Sequence, residues 1–264
     1  IVDPSHSLVG YWKLDETSGT SAADSSGYGN TGTHTNGPTI STTVPAVNFT
    51  NPRSLSFDGT DDYVVVSSFT NQPQGNVPYT VSAWVKFTNS ASAIEIIDNF
   101  GTDAVGQASF FYRNSTGKLV LEHGSGTGAA TGATTLAAGV WYHVVGVYDN
   151  ANNLVYVNGV LDGSTAYTTL NLTGNQHRNG NYALGLPLNG LIDDVRIYNR
   201  ALSATEITAL AAGSHTTATW DGSSSTAYGT AANWDTNAIP DPYTYIVIAD
   251  VASQPILAAA EELH

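Results

Sequence analysis

The chain has 264 residues, of which 22 are acidic and 8 are basic, so its formal net charge is −14 at pH 7. This charge excludes a nucleic-acid-binding role, because phosphates require clustered Lys and Arg, and it favours a cation as a partner. The absence of Cys excludes disulfides and thiolate metal sites. No apolar run approaches the roughly 20 residues of a membrane span, so membrane insertion is not expected.

The surface is predicted to be uncharged but polar. Charged residues make up 11% of the chain, against roughly 25% in ordinary soluble domains. Thr is at home on pleated sheets, and the 26 Gly together with Asn supply turns. This composition is typical of extracellular or cell-surface β-modules. The absence of Met and of a signal peptide at the first residues indicates a piece of a longer precursor.

Ten apolar runs of strand length, separated by turn residues, predict ten β-strands. In chain order they are Leu8–Leu14, Ser54–Phe57, Tyr63–Val66, Tyr79–Phe87, Ile94–Ile97, Ser109–Tyr112, Lys118–Glu122, Trp141–Tyr148, Leu154–Val157 and Leu191–Tyr198. This number of strands requires two packed sheets rather than one. The sequence therefore predicts an all-β protein, a two-sheet antiparallel β-sandwich.

Two tight turns predict that the middle of the chain is antiparallel. One turn lies at residues 149–153 and the other at Asn158 and Gly159. Both residues of the second turn can adopt positive φ, as a type I′ hairpin turn requires.

One short helix is predicted to close the sandwich. Ser203 and Glu206 have the spacing of a capping box, which satisfies the first free amides of a helix. After Ala212 the composition shifts to Ser, Thr, Gly and Ala, which marks a boundary. We therefore expect one sandwich domain over residues 1–212, followed over residues 213–264 by a linker and a fragment of a β-rich repeat.

Four segments carry a resemblance to a known family. They are residues 8–16 with 24–30, residues 55–64, residues 139–144 with the 157–159 turn, and residues 190–203. The fourth, GLIDDVRIYNRALS, is the most specific, because strand, arginine, turn and capping box occur in order. Residues 8–210 resemble the laminin-G-like, concanavalin A-like jelly roll of bacterial surface and exported proteins. The resemblance implies two curved sheets, often with a bound calcium ion, and ligands ranging from sugars to proteins.

The C-terminal segment resembles a different family. Its sequences TWDG (residues 219–222) and ANW (residues 232–234) are similar to a repeat opening in large autotransporter-like surface proteins. That resemblance implies that the chain is a fragment of such a protein. We expect a monomeric module within a larger chain.

A calcium site is predicted where an early loop meets a late strand. Calcium needs six to eight oxygen ligands, and the loop DSSGYGN, from Asp24 to Asn30, offers a carboxylate and backbone carbonyls. By analogy with related jelly rolls, the predicted Ca²⁺ ligands are Asp24, Asn30 and Asp193. Adjacent strand residues point to opposite faces, so Asp194 is not expected to join Asp193 as a ligand.

These acids also have a simpler interpretation. Asp24 can cap an Asx turn, and Asp193 can pair with Arg196 or Arg200. A second acidic loop offers either a metal site or a β-turn, and its acids are Asp58, Asp61 and Asp62.

A sugar or protein ligand is expected to contact aromatic residues beside polar ones, because sugar rings stack on aromatic faces. The candidates, in or near predicted loops, are Tyr112, Tyr167, His177, Arg178 and Tyr182. Other aromatics lie within apolar runs and are predicted to be core residues, namely Trp12, Trp84 and Trp141.

Catalysis is the rival class of function, since the same fold carries glucanases that use two carboxylates on one strand face. The nearest match here is Glu95 with Asp98, which has the wrong spacing and no second glutamate after it. We therefore expect Glu95 to face solvent and the chain not to be an enzyme. The predicted function is a calcium-binding module for a carbohydrate or an extracellular protein. A structural spacer and a glycoside hydrolase remain alternatives.

Overall fold

The computed structural model describes residues 7–89, 94–99, 109–123, 127–174, 176–180, 186–213, 216–220 and 244–248. The chain divides into two compact units. One comprises Ser7–Ala212, and the other comprises Ile1–His6 with Gly213–His264. Nothing in the described chain is a helix with the length and apolar character needed to cross a bilayer.

Sixteen strands and one helix are described in the unit Ser7–Ala212. The strands are β1 (Leu8–Trp12), β2 (Ser21–Ala22), β3 (Gly32–Thr35), β4 (Thr39–Ser41), β5 (Ser54–Asp58), β6 (Tyr63–Val66), β7 (Tyr79–Phe87), β8 (Ile94–Asn99), β9 (Ser109–Arg113), β10 (Lys118–His123), β11 (Thr127–Thr135), β12 (Trp141–Tyr148), β13 (Asn152–Val157), β14 (Val160–Ala166), β15 (His177–Asn179) and β16 (Asn189–Tyr198). The helix is α1 (Ala204–Ala211).

The strands form two eight-stranded sheets in the described part of the chain. Sheet A has the order β14-β13-β12-β7-β16-β5-β4, and β1 also pairs with β16. Sheet B has the order β11-β10-β9-β8-β15-β6-β3-β2. All strand pairs in both sheets are antiparallel. The predicted all-β, two-sheet antiparallel sandwich is therefore confirmed, as are all ten predicted strands.

The predicted turn and helix signals are also confirmed. Asn158 and Gly159 have φ values of 50° and 82° and connect β13 to β14. Ser203 caps α1, since its Oγ accepts a hydrogen bond from the Glu206 amide at 3.3 Å. Glu206 Oε2 in return accepts one from the Ser203 amide at 2.7 Å.

Trp12 lies at the centre of the core between the sheets. Its side chain is fully buried, and its indole ring stacks on the His177 ring with centroids 4.8 Å apart. The indole Nε1 donates to the Asn30 carbonyl oxygen at 2.8 Å. Trp12, on a strand of sheet A, therefore joins the two sheets through His177 of sheet B. Of the other two tryptophans predicted to be core residues, Trp84 is buried and Trp141 is half-buried.

Strand β16 carries a bulge that positions two acidic residues. Its pairing with β7 shifts in register between Asp193 and Arg196. In a regular strand alternate residues share a face, but here Ile192 and Val195, three residues apart, both lie in the core. A bulge places two residues where a regular strand has one. Asp193 and Asp194 therefore occupy a single outward position together.

The second unit contains one described pair of strands. β17 (Thr216–Trp220) pairs with β18 (Thr244–Ile248) in parallel. This arrangement contrasts with the antiparallel pairing of the sandwich.

Candidate functional site

Asp24 organises its own loop. Asp24 Oδ1 accepts hydrogen bonds from the amides of Tyr11 at 3.0 Å and Ser26 at 2.9 Å. Oδ2 accepts from Ser26 Oγ and from the Asn30 amide, both at 2.8 Å. Both carboxylate oxygens are thus engaged in turn and strand contacts, as in the simpler interpretation of this residue.

Asn30 is a buried structural residue. Its Oδ1 accepts from the Thr70 amide at 2.7 Å, and its Nδ2 donates to the carbonyl oxygens of Val9 and Thr70 at 2.7 Å and 3.1 Å. Its backbone carbonyl accepts the Trp12 indole. These bonds tie the loop to β1 and to the chain after β6.

Asp193 belongs to a different cluster. It is fully buried, its Oδ2 accepts from Asn51 Nδ2 at 2.8 Å, and its Oδ1 accepts from the Asp194 amide at 3.0 Å. Within the described residues, no hydrogen bond joins Asp193 to Asp24 or Asn30. The calcium site predicted from Asp24, Asn30 and Asp193 stays a prediction.

Asp194 is the acid that pairs with arginine. Its Oδ1 accepts from Tyr11 Oη at 2.7 Å and lies 3.3 Å from Arg196 Nη2. Arg196 Nη2 also donates to Tyr11 Oη at 2.8 Å, and its guanidinium lies over the Tyr11 ring. The other predicted arginine, Arg200, pairs with Glu206 at 3.0 Å instead.

The carboxylates around the bulge repel one another. Burial, together with the charges of Asp194 and Asp15, raises the pKa of Asp193 to about 9 against the hydrogen bond from Asn51. Burial also raises the pKa of Asp15, and Asp194 adds to that effect. Two non-glycine residues next to this cluster have left-handed backbones, Leu14 at φ 58° and Asp194 at φ 48°. Such strain is concentrated at functional sites.

The second acidic loop also exists as a cluster. One ligand atom from each of its acids lies within 4.8 Å of the others, and the acids are Asp58, Asp61 and Asp62. Asp62 Oδ2 accepts from the Asp58 amide at 3.0 Å, and Asp58 Oδ1 accepts from the Thr60 amide at 2.7 Å. The contact of Asp58 with the Thr60 amide is an Asx turn, and the cluster stays a candidate metal site.

Tyr112 lies on the face of sheet B that points away from the core, here called the sheet B face. Its neighbour Phe111 is in the core, so alternation turns Tyr112 outward. Tyr112 Oη donates to Glu122 Oε2 at 3.0 Å. Burial raises the pKa of Glu122, and burial together with the Glu122 charge raises the pKa of Tyr112. The hydrogen bond joins the buried Glu122 to the half-buried Tyr112.

Arg178 lies on the same face. Its Nη2 donates to Gln176 Oε1 at 2.7 Å, and its guanidinium carbon lies 5.3 Å from the centre of the Tyr63 ring. Strand pairing places Arg178 opposite Asp98, Asp98 opposite Phe110, and Phe110 opposite Glu122. Arg178 and Glu122 therefore lie in one row across three strand spacings, about 14 Å.

The other predicted contact residues lie elsewhere. His177 is buried beneath Trp12, and its Nε2 lies 2.9 Å from Asn179 Oδ1. Burial lowers the pKa of His177 to about 3. Tyr167 is half-buried and stacks on His123 with ring centroids 4.9 Å apart. Tyr182 and the side chain of Glu95 lie outside the described residues. Of the five candidates, Tyr112 and Arg178 lie on the sheet B face.

The family model described as "Concanavalin A-like lectin/glucanases superfamily" matches residues 58–208 of this chain, which include most strands of both sheets. The chain belongs to the concanavalin A-like lectin/glucanase superfamily. None of the curated proteins compared with this superfamily member matches it.

Solved structures of the same fold include carbohydrate-binding domains. Domain 4 of AbnA, a GH43 extracellular arabinanase from Geobacillus stearothermophilus, was solved in complex with arabinotriose. It shares 24% identity with a TM-score of 0.60, over 78% of this chain and 98% of that one. The botulinum neurotoxin serotype D ligand-binding domain, solved with N-acetylneuraminic acid, shares 17% identity with a TM-score of 0.57 over 78% of this chain.

A third similar structure concerns botulinum neurotoxin type C, whose cell entry depends on two ganglioside molecules. It shares 15% identity with a TM-score of 0.56, over 78% of this chain and 50% of that one. The superfamily member spans about half the length of these toxin chains. At these identities the likeness establishes a shared fold.

Sequence reasoning missed four residues of these two clusters, namely Asp15 and Asn51 beside the bulge and Tyr63 and Glu122 on the sheet B face. One readable signal was present for the bulge. The apolar residues Ile192 and Val195 are separated by two residues in a strand that otherwise alternates, which is the mark of an extra residue.

Proposed function

We propose that this superfamily member is a non-catalytic carbohydrate-binding module of an extracellular protein, and that the sheet B face binds the glycan. The observation that carries the proposal is the row of aromatic and polar side chains on that face. Tyr112 with Glu122 lies at one end, and Tyr63 with Arg178 lies at the other.

The chemistry of this row suits a sugar. Aromatic rings offer flat apolar faces, while a carboxylate accepts and a guanidinium donates hydrogen bonds to hydroxyl groups. The net charge of −14 favours a neutral glycan over an acidic one. The arabinanase domain of the same fold, solved with arabinotriose, supports this class of ligand.

The row does not favour hydrolysis. Glycosidases place two carboxyl groups about 5–9.5 Å apart across the scissile bond. Glu122 is held by a hydrogen bond from Tyr112, and the other acid of the row, Asp98, lies two strand spacings away, about 10 Å. We therefore propose binding without turnover.

A calcium ion is a further part of the proposed function, because the chain has 22 acids against 8 bases. Its predicted ligands are Asp24, Asn30 and Asp193, because an oxygen that accepts one hydrogen bond keeps a second lone pair for a cation. Glycan binding on the sheet B face is proposed independently of this ion.

Substitution of the row aromatics is expected to weaken glycan binding. Tyr112→Ala and Tyr63→Ala each remove one stacking face, so we expect each to raise the Kd by up to about tenfold. The measurement is isothermal titration with arabinotriose and with the best ligand from a panel of neutral oligosaccharides.

Leu161→Ala is the matched control, because Leu161 is a large side chain on β14 of sheet A and is 51% exposed. This variant should bind the glycan with the same Kd as the unmodified chain. Unchanged affinity in both Tyr variants would remove the sheet B face as the site. Failure to bind any member of the panel would contradict the carbohydrate function itself.

A further inference from the structure

We propose that the outer face of sheet A carries a second binding site, which takes the carboxylate group of a small ligand. The site is formed by four side chains of β7 and β12, here called the sheet A patch, namely Trp84, Lys86, Trp141 and His143. The patch belongs to the other sheet from the row proposed to bind a glycan. The inference therefore goes beyond the proposed function and does not depend on it.

Strand pairing brings the four side chains of the patch together. In the register of β7 with β12, Trp141 lies opposite Lys86, and His143 lies opposite Trp84. Val85 between them on β7 faces the core, so alternation turns its two neighbours and their cross-strand partners outward. Directly opposite residues have Cβ atoms about 5 Å apart, and the Trp84 and His143 rings have centroids 5.3 Å apart. The patch is therefore a compact block of two residues on each of two strands.

Buried nitrogen atoms of the patch have no hydrogen-bond partner. They are Trp84 Nε1, Trp141 Nε1 and both ring nitrogens of His143. Trp84 is 8% exposed and His143 is 0% exposed, so bulk water does not satisfy these atoms. Buried polar atoms in native proteins almost always have a partner, and each exception needs an explanation. Several exceptions on adjoining residues indicate a bound species at the patch.

Lys86 adds a positive charge beside these nitrogen atoms. Its side chain is half-buried, and it forms no ion pair with the residues that the structure describes. An ammonium group in this setting attracts an anionic group. The net charge of −14 opposes an anion at long range, but salt screens that repulsion beyond about 8–10 Å. The local attraction of Lys86 therefore decides the sign of the ligand.

The hydrogen-bonding groups of the patch are mostly donors. An indole N–H can only donate, and a lysine ammonium has three donors and no acceptor. Burial, together with the charge of Arg196, lowers the pKa of His143 to about 3, so its neutral ring offers one donor and one acceptor at pH 7. The matching ligand is rich in acceptors and negatively charged. A carboxylate fits, because its two oxygens offer about four acceptor sites and one negative charge.

One side of the patch is covered by the chain, and the other side is open. Residues 42–53 connect β4 to β5, and Asn51 in this segment contacts Asp193, which lies opposite Trp84 on β16. The segment therefore reaches the patch from the β16 side. Lys86 and Trp141 remain half-buried. We infer that the ligand enters at these two residues, with its carboxylate directed towards the buried pair of rings.

The test is an NMR titration of the ¹⁵N-labelled full chain, which reads the indole N–H signals of its five tryptophans. Trp84→Phe and Trp141→Phe each remove one signal and so assign it. Sodium acetate and sodium glucuronate should each shift both assigned signals in a saturable manner. The Trp12 signal is the internal control and should not move, because Trp12 Nε1 already donates to the Asn30 carbonyl.

Lys86→Met should raise the Kd for acetate by about tenfold, because it removes the charge that pairs with the carboxylate. Lys118→Met is the matched control, since it removes the same charge from a half-buried lysine on β10 of sheet B. This control should leave the Kd for acetate unchanged. Near-UV circular dichroism checks that each variant is folded, and Trp141→Phe should weaken acetate binding while it keeps an aromatic ring in place.

The choice of probes separates the possible partners of the patch. Tighter binding of glucuronate than of acetate would support a sugar acid as the source of the carboxylate, and equal binding would support a simple carboxylic acid. Equal shifts with sodium chloride or with neutral glucose would overturn the carboxylate assignment. Assigned signals that none of the anions moves would overturn the site and leave bound water as the partner of the nitrogen atoms. Binding of neutral arabinotriose at the sheet B face is scored separately.

Discussion

Replacement of Trp12 by Ala is expected to cost about 3–5 kcal/mol of the free energy of unfolding. Trp12 is fully buried, stacks on His177 and contacts Phe69 with ring centroids 5.9 Å apart. Its Nε1 also holds the Asn30 carbonyl. The truncation therefore opens a large cavity between the two sheets and removes a buried hydrogen bond. The loss can be measured as a shift in the denaturant concentration at the unfolding midpoint. The slope of the free energy of unfolding against denaturant concentration should stay constant.

Trp141→Ala is the matched control for this prediction. Trp141 is half-buried on the other side of sheet A, so the same truncation there should cost much less. An equal loss in the two variants would show that Trp12 has no special role in joining the sheets. A negligible loss for Trp12→Ala would contradict the core position described here.

Acidification below pH 6.5 is expected to destabilise the sandwich steeply. Burial lowers the pKa of His123 to about 4 and of His143 and His177 to about 3, from an ordinary value of 6.5. Below pH 6.5 these histidines therefore bind protons in the unfolded chain but stay neutral in the folded chain. Stability is present above pH 6.5 and falls as the pH approaches 3, by roughly 1.4 kcal/mol per pH unit for each histidine.

Asp193 acts in the opposite direction in calcium-free buffer. Its raised pKa of about 9 means that the folded state holds one extra proton between about pH 4 and pH 9. This offsets one of the three histidines, and the raised pKa values of Asp15 and Glu122 act in the same direction. The slope of the free energy of unfolding against pH between pH 4.5 and 6 should therefore be smaller than three histidines alone would give.

The contribution of one histidine can be tested with His177→Gln. This variant should reduce the slope of the free energy of unfolding against pH by about one proton, whatever its effect on overall stability. The measurement is the free energy of unfolding at several pH values in chelator. Glu206→Gln is the control, because Arg200 and Ser203 lower the pKa of Glu206 to about 2. The stability that ionised Glu206 contributes is lost only as the pH falls below 4.5 towards 2. An unchanged slope in His177→Gln would rule out His177 as a source of the acid sensitivity.

Much of this fold can be predicted from the sequence because its central strands are apolar. β7, β10 and β12 pack against both neighbours and the core, so their sequences are rich in Val, Leu and aromatic residues. β3 and β4, with the sequences GTHT and TIS, carry no such pattern. They become strands because they pair with β6 and β5, a tertiary effect that local preference does not contain.

The candidate sites were only partly predictable for a related reason. Asp193 stands out in the sequence, but its neighbours Asn51 and Asp15 reach it through strand pairing over more than 140 residues. His177 looked like a surface contact because polar residues surround it in the chain, whereas β15 turns it into the core beneath Trp12. Which face of a short strand is buried depends on its partners.

The bulge in β16 also determines how the chain can tolerate changes in length. Deletion of one residue elsewhere in this strand would exchange the inward and outward faces of everything after it. Deletion of Asp194 alone would instead restore plain alternation and leave Val195 and Ile197 facing the core. The sandwich thus has no packing need for the additional residue. Shorter homologous chains that lack it could keep the same core, and they would lose the paired carboxylates.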